Sequence, residues 1–384
     1  VKFHSHPSGS DAFSALDDKA DRELFSAVDT WIERSRPHAS TVLLPDGRMF
    51  GRSIDREGAF VPLACIAVAG DDLHYWYSNR RESVVGVAAP AFVAKNAQLF
   101  GSATTERLRH MTVAVVGCSG TGCVVIEQLM RLGVGCLILV DPDVIENKNL
   151  NRIINAKTRH ANQKIAKVAM FAETIEETDL GTKVIAIARN LIDPDVVRTV
   201  AQADFVFGCM DTAEGRHLLN RLSCFYLLPY LDIGVKLEAD GCGGVDQVCA
   251  STHYLQPGGS SLLSRGVYTM EDVQSEAMKR TNPEQYVEQV RSRYINGVVE
   301  ERPAVISINM QIAAIAVNDF LARLHPYRND PNGKFAVQRV SLTDAYLQYE
   351  NDGQPCAMLA KHVGRGDVTP LLDRPDLTEP GTLA

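Results

Sequence analysis

No stretch of this 384-residue chain approaches the run of about eighteen consecutive apolar residues that a bilayer-spanning helix needs. The opening Val1–Asp11 is polar and rich in His, Ser and Gly, so it lacks the apolar centre of a secretory signal as well. Together these absences lead to the expectation of a cytoplasmic protein. Basic charge is also missing: the net charge of −8 argues against a nucleic-acid binder, whose footprint is a basic stripe. A disulfide framework is excluded, because the nine cysteines are odd in number and scattered without a close CxxC pair. Most of them read as small apolar side chains. There is no internal repeat. What remains has the composition of an ordinary globular protein, 45% hydrophobic and 22% charged, with room for one large domain and a smaller one.

Residues 1–85 form a short mixed segment: a histidine-rich opening, a helix over Asp17–Arg34, and strands at Ser40–Leu44, Leu63–Ala69 and His74–Tyr77. The charged break Asn79-Arg80-Arg81-Glu82 comes next. From about residue 110, apolar strands alternate with amphipathic helices, the pattern of a mostly parallel sheet flanked by helices. The strands fall at Met111–Gly117, Cys136–Asp141, Lys183–Ala188, Asp204–Cys209 and Pro229–Val235. The helices between them fall at Thr121–Leu132, Gln163–Glu177, Pro194–Ala201 and Thr212–Leu227. Beyond Gly244 come hairpin-like pieces, helices at Met270–Lys279 and Pro283–Arg293, and the long amphipathic helix Ala304–Leu324. The Pro-, Gly- and Asp-rich residues 351–384 are expected to wrap the surface or fray.

The first of the parallel strands runs into Gly117-Cys118-Ser119-Gly120-Thr121-Gly122 and then directly into a helix. Glycines at such a turn let a phosphate approach backbone N–H groups at the helix N-terminus. The next strand ends at Asp141, nineteen residues beyond Gly122, where an acid meets a ribose hydroxyl. Strand, glycines, helix and acid in this order define a nucleotide site, without separating a dinucleotide enzyme from an ATP enzyme.

The next motifs along the chain separate the two: Asp141-Pro142-Asp143, then Asn149-Leu150-Asn151-Arg152, then Gln163-Lys164-Ile165, and later Cys209-Met210-Asp211 with Arg216 five residues on. This ordered set resembles the ThiF/MoeB/ubiquitin-activating superfamily across residues 110–350. There an Asp-x-Asp strand end precedes an Asn-Leu-x-Arg motif, a lysine that opens a helix, and a Cys-x-Asp strand end. The resemblance implies a Rossmann-like α/β adenylating domain over 86–350 that uses ATP and Mg²⁺. Gly117, Ser119, Gly120, Gly122, Asp141, Asp143 and Asn149 would bind nucleotide, and Arg152 and Lys164 would place positive charge on the phosphates. Asp211 would hold Mg²⁺. The implied reaction is attack of a carboxylate on the α-phosphate, with pyrophosphate leaving, on the C-terminus of a ubiquitin-like or sulfur-carrier protein. Dimers are usual in the superfamily, so a homodimer is expected. Other readings are adenylation of a carboxylate on a small molecule or modified tRNA base, and a non-catalytic module that binds ubiquitin-like proteins.

The chain departs from the superfamily pattern in two places. Ser261 and Ser264 stand where many members have the first CxxC of a structural zinc site, and Cys356 is followed three residues later by Leu359 in place of the second pair. One thiolate cannot build a tetrahedral site, so no zinc is expected in the adenylating domain. For thioester transfer the candidate is Cys242, flanked by Gly241 and Gly243-Gly244, with an incidental loop thiol as the alternative. No role is assigned to Lys95, Arg107 or Arg109.

The opening carries a second constellation: His4-Ser5-His6-Pro7, then Ser14 and Asp17. Histidines at i and i+2 of a strand face the same way, and an acid can complete a set of three zinc ligands with a fourth position left for water. The spacing resembles the JAB/JAMM metallopeptidase motif, which implies His4, His6 and Asp17 as Zn²⁺ ligands and Ser14 as an oxyanion helper. In that family the general-base glutamate lies upstream of the histidines. Residues 1–85 are therefore expected to be the later half of such a domain, with peptidase activity left open.

Overall fold

The computed structural model describes residues 1–31, 37–78, 90–292 and 303–377. The Asn79–Glu82 break, the 85/86 domain boundary and the end of the first expected helix at Arg34 lie outside the described residues. The chain divides into two compact units, Val1–Val68 with Leu73–Ala88, and Ala69–Asp72 with Ala89–Ala384.

The first unit comprises β1 (Lys2–Ser5), α1 (Ala15–Asp29), β2 (His38–Leu43), β3 (Met49–Ile54) and β4 (Phe60–Pro62), followed by β5 (Cys65–Ala69) and β6 (Leu73–Tyr77). β1 pairs with β2 in parallel, while β2, β3 and β4 form an antiparallel meander. Helix α1 starts at a capping box in which Ser14 and Asp17 satisfy each other's backbone N–H groups. On its inner face the buried Asp21 accepts from Lys2, Ser40 and Arg52. The Arg52 guanidinium lies 3.7 Å from the ring centroids of both Phe13 and Phe60.

The second unit runs α2 (Ala94–His110), β7 (Thr112–Val116), α3 (Gly120–Leu132), β8 (Cys136–Val140), α4 (Thr158–Asn162), α5 (Lys167–Thr178), β9 (Lys183–Ile187), α6 (Pro194–Val200), β10 (Phe205–Gly208) and α7 (Ala213–Tyr226). It continues through β11 (Tyr230–Ala239), β12 (Val245–Leu255), α8 (Met270–Thr281), α9 (Pro283–Arg291), α10 (Ile306–Leu324), β13 (Val337–Ser341) and β14 (Tyr346–Glu350). One eight-stranded sheet carries them in the order β14-β13-β12-β11-β10-β7-β8-β9. Pairing from β11 through β10, β7 and β8 to β9 is parallel, and β12, β13 and β14 are added antiparallel. The central strands are continuous apolar runs such as Val113–Val116 and Leu137–Val140, buried on both faces as parallel strands require. Among the described residues, no helix is long and apolar enough to cross a membrane.

The first four parallel strands lie within a residue of their expected positions, and β11 runs four residues past its expected end at Val235. The sequence does not mark α2, which is kinked at Gly101 and buries only Thr104, Thr105 and Leu108 along its length. The hairpin-like pieces after Gly244 become one long strand, β12, and the edge pair β13–β14 extends the sheet beyond it.

Residues 352–377, the described part of the segment after Asn351, are packed onto the second unit. Leu371, Leu372 and Leu377 enter the same core cluster as Ala114, Val140 and Val206. Arg221 on α7 donates to the Leu372 carbonyl, and Gly364 and Gly366 donate to the carbonyls of Cys224 and Phe225 at the end of that helix. Buried apolar side chains, side-chain hydrogen bonds and a few backbone hydrogen bonds together attach this polar stretch. Leu372→Ala, which empties a fully buried site, is expected to cost about 2–5 kcal/mol of stability in urea unfolding followed by circular dichroism.

Candidate functional site

In a sheet of this order, the connections leave β7 in one direction to β8 and β9 and in the other to β10. The carboxyl ends of β7 and β10 therefore flank the crevice where open α/β sheets bind ligands. The Gly117–Gly122 loop leaves β7 at this point, and Cys209-Met210-Asp211 leaves β10. The two turns touch: Gly117 has φ +91°, and a Cβ there would lie 2.6 Å from the Cys209 carbonyl oxygen. A Cβ on Gly122 would collide with the Gly117 carbonyl. No side chain caps the start of α3 at Ser119, and this helix N-terminus faces the crevice with its positive dipole end.

Asp141 follows the last residue of β8 and is only 4% exposed. Its carboxylate accepts from the backbone N–H of Cys118 in the glycine loop at 2.8 Å and from that of Asp143 at 2.9 Å. Lys167 Nζ lies 3.3 Å from Asp141 Oδ1 and 2.7 Å from Asp143 Oδ2. Burial pushes the Asp141 carboxyl above its ordinary pKa, against the pull of Lys167 and the two amides. Burial likewise works against the charge on Lys167, but Asp141 and Asp143 together hold its pKa above the ordinary lysine value. Asp143 is largely exposed, so this pair of acids presents one buried and one open carboxylate at the strand end.

The lysine that opens the helix is therefore Lys167. Lys164, expected inside a helix over Gln163–Glu177, sits instead in the preceding turn with φ +50° and an exposed side chain. The helix cannot begin earlier, because a backbone bridge joins Val144 to Ala166, with Ile145 N–H donating to Ile165 and Lys167 N–H to Asp143. Sequence reasoning missed Lys167. Its signal was the buried periodicity Val168, Phe171, Ile175, which starts only after Ala166.

The remaining expected residues approach from two sides. Asn149 is buried and its Oδ1 accepts from Glu146 N–H, fixing the turn that carries Arg152. Arg152 donates through Nη1 to Lys148 O and Asn151 Oδ1, and its Cδ reaches 3.5 Å from the Cβ position of Gly120. Asp211 is exposed immediately before α7. Arg216, one turn into that helix, is fixed by Asp232 at 3.2 Å, and Tyr230 donates to the same Asp232 oxygen at 2.6 Å. The glycine loop, Asp141, Asp143, Arg152 and Asp211 are thus gathered around one crevice, with Lys167 added to them.

Cys242 belongs elsewhere. It lies at the tip of the β11–β12 hairpin, exposed, with its N–H donating to Asp240 Oδ1. Asp232 pairs with Gly208 at the end of β10, and the seven residues from there to Ala239 carry the chain about 23 Å further along the strand. At the zinc-knuckle positions, Ser261 and Ser264 hydrogen-bond each other, and Cys356 and Leu359 pack with Cys224 in a small apolar cluster. Arg107 donates to Leu324 O, and Arg109 pairs with Glu106.

In the first unit, His4, His6 and Asp17 place one ligand atom each within 4.8 Å of one another. His4 Nε2 lies 3.2 Å from His6 Nε2 and 3.2 Å from Asp17 Oδ1. His6 Nδ1 contacts Ser10 O at 2.8 Å, which fixes the ring with Nε2 toward the cluster. Ser14 donates its hydroxyl to Asp17 Oδ2 at 2.7 Å, so it orients the carboxylate while capping α1. Burial raises the Asp17 pKa, but the Ser14 hydrogen bonds and the two imidazoles override it and hold the carboxyl at about 2. Two imidazoles and an ionised carboxylate fit a Zn²⁺ ion with an open fourth position.

A parallel sheet with a glycine loop at its switch point, an acid pair and converging basic side chains defines a nucleotide-binding α/β protein. The family model for the ThiF family matches residues 93–349, and the chain belongs to that family. Over 189 residues it is 26% identical to ubiquitin-like modifier-activating enzyme 5 of Drosophila willistoni, covering 46% of this chain and 44% of that protein. Over 114 residues it is 34% identical to adenylyltransferase and sulfurtransferase MOCS3 of Sus scrofa, covering 30% of this chain and 25% of that protein. The chain thus spans less than half the length of these curated relatives. Among solved structures, that of E. coli MccB with MccA-N7isoASN superposes with a TM-score of 0.55 at 18% identity, over 71% of this chain and 75% of that one, which shows a shared fold.

Removing Lys167 would strand a buried carboxylate, which typically costs about 3–5 kcal/mol. Lys167→Ala is expected to lower the thermal midpoint sharply, whereas Lys164→Ala, at an exposed turn, should leave it within the scatter of a surface change. Differential scanning calorimetry of the two variants makes the comparison.

Proposed function

We propose that this chain uses ATP·Mg²⁺ to adenylate the C-terminal carboxylate of a ubiquitin-like or sulfur-carrier protein. The observation that carries the reading is the uncapped α3 terminus beside Arg152 and Asp211 at the carboxyl ends of β7 and β10, with the Asp141–Lys167 pair at the end of the adjoining β8. The names of the matched relatives, a modifier-activating enzyme and an adenylyltransferase, support it. In the reaction a carboxylate oxygen attacks the α-phosphorus, the bond to the β-phosphate bridging oxygen breaks, and pyrophosphate leaves. Two anions must meet, so catalysis is positioning and charge stabilisation. The α3 amides, Arg152 and Lys167 take the phosphate charge, Lys167 while being steadied by Asp141 and Asp143. Those two acids form the edge that meets the ribose, and Asn149 shapes the turn that presents Arg152. Asp211, an open carboxylate at the β10 end, fits Mg²⁺, which commonly takes one or two carboxylates plus phosphate oxygens.

Transfer of the activated carboxyl to Cys242 as a thioester requires the β11–β12 hairpin tip to approach the adenylate, and a homodimer is the assembly proposed for the unit. In the first unit, His4, His6 and Asp17 would hold Zn²⁺ as in a JAB/JAMM-type peptidase segment, where the metal supplies Lewis-acid activation of a bound water.

Pyrophosphate exchange with candidate carrier proteins tests the main reading. Asp211→Ala and Lys167→Ala should each lose about 10²–10³ in rate, the usual cost of removing one charge-stabilising group. Tight NAD binding with no ATP binding in calorimetry would overturn it. Metal analysis tests the second site: zinc should be present in the wild type and lost from a His4→Ala/His6→Ala double variant, and unchanged occupancy would defeat the assignment.

A further inference from the structure

We infer that Asn309, on the second turn of α10, donates a hydrogen bond to the nucleotide phosphate held at the start of α3; this rests on the ATP reading above. On the face of α10 that packs inward, Asn309, Ile312, Ala313, Ala316, Val317 and Phe320 recur at helical spacing and are all buried. Asn309 is the polar residue at the N-terminal end of this stripe, whose far end carries Arg323 paired with Asp319, and it is only 4% exposed. Among the described residues its carboxamide has no hydrogen-bond partner, although its backbone N–H donates to Val305 O in the ordinary helical way. The amide atoms of this nearly buried side chain are not sealed off from solvent, so a ligand entering the crevice can reach a donor that no described residue engages.

The partner is indicated by where the amide points. A Cβ on Gly120, the first residue of α3, would run into Asn309 Nδ2, and the same point lies 3.5 Å from Arg152 Cδ. The carboxamide therefore wedges between the glycine loop and Arg152, beside a helix terminus that no side chain caps. An anion seated there would find the α3 amides, the Arg152 guanidinium and the Asn309 N–H₂ group all as donors. Gly120 then serves two purposes: it admits the phosphate, and it makes room for Asn309.

The test measures binding of a non-hydrolysable ATP analogue with Mg²⁺ by calorimetry, which needs no carrier protein, together with thermal melting of each variant. Asn309→Leu removes the donor at similar size. It should weaken binding about 10- to 100-fold, the loss of one hydrogen bond to a charged group, while melting at or above the wild-type temperature. Asn309→Asp keeps the shape but sets a negative charge against the phosphates, so it should bind more weakly still. If Asn309 only packs, the order reverses and the isosteric Asp becomes the milder change. Equal affinity of wild type and Asn309→Leu, or a milder Asn309→Asp, overturns this inference alone. No analogue binding by the wild type overturns the ATP reading and this inference with it.

Discussion

A single buried carboxylate organises the nucleotide end of the second unit. Asp141 cannot be left in an apolar interior without partners, and each partner it recruits fixes a different segment. The Cys118 amide fixes the glycine loop after β7, the Asp143 amide fixes the turn after β8, and the Lys167 ammonium fixes the start of α5. The acid that the sequence suggests as a ribose ligand is thus also the clasp that gives the loop its shape. Lys167 links it to the exposed Asp143, so charge at the open end of the site is tied to charge in the core.

How much of this could be read from the chain depended on how local the cause was. The parallel strands are short apolar runs bounded by turn residues, and the glycine loop announces itself by three glycines within six positions, so both were legible. Lys167 was not, because the start of α5 is set by backbone pairing between 143–145 and 165–167, across some twenty residues. Helix α2 escaped for a different reason. It buries two threonines and one leucine, so it has almost no apolar stripe for periodicity to find. Asn309 would pass as a chance polar residue on α10 until Gly120 is seen beneath it.

The polar clusters divide by what completes them. Arg216 has Asp232 beside it, and Asp21 has Lys2, Ser40 and Arg52, so these charges are answered within the fold. His4, His6 and Asp17 instead bring two metal-ligand types together with a carboxylate that stays ionised, an arrangement whose natural completion is a cation. Cys356 and Leu359 lie against Cys224 in ordinary apolar packing, and Ser261 and Ser264 hydrogen-bond each other.

The leucines beyond residue 370 bear on how the chain folds as it leaves the ribosome. They share one core with strands laid down more than two hundred residues earlier, from Ala114 on β7 to Leu377. Until residue 377 has cleared the exit tunnel, the face of α7 that receives Leu371 and Leu372 has nothing to cover it, although every strand of the sheet has already been made. The nascent unit must therefore carry an exposed apolar groove through that stage of translation, when long-range contacts are the slowest to form. Completion of the core waits on these leucines rather than on the sheet, and a chain stalled or nicked just short of residue 371 would retain a sheet with an open flank.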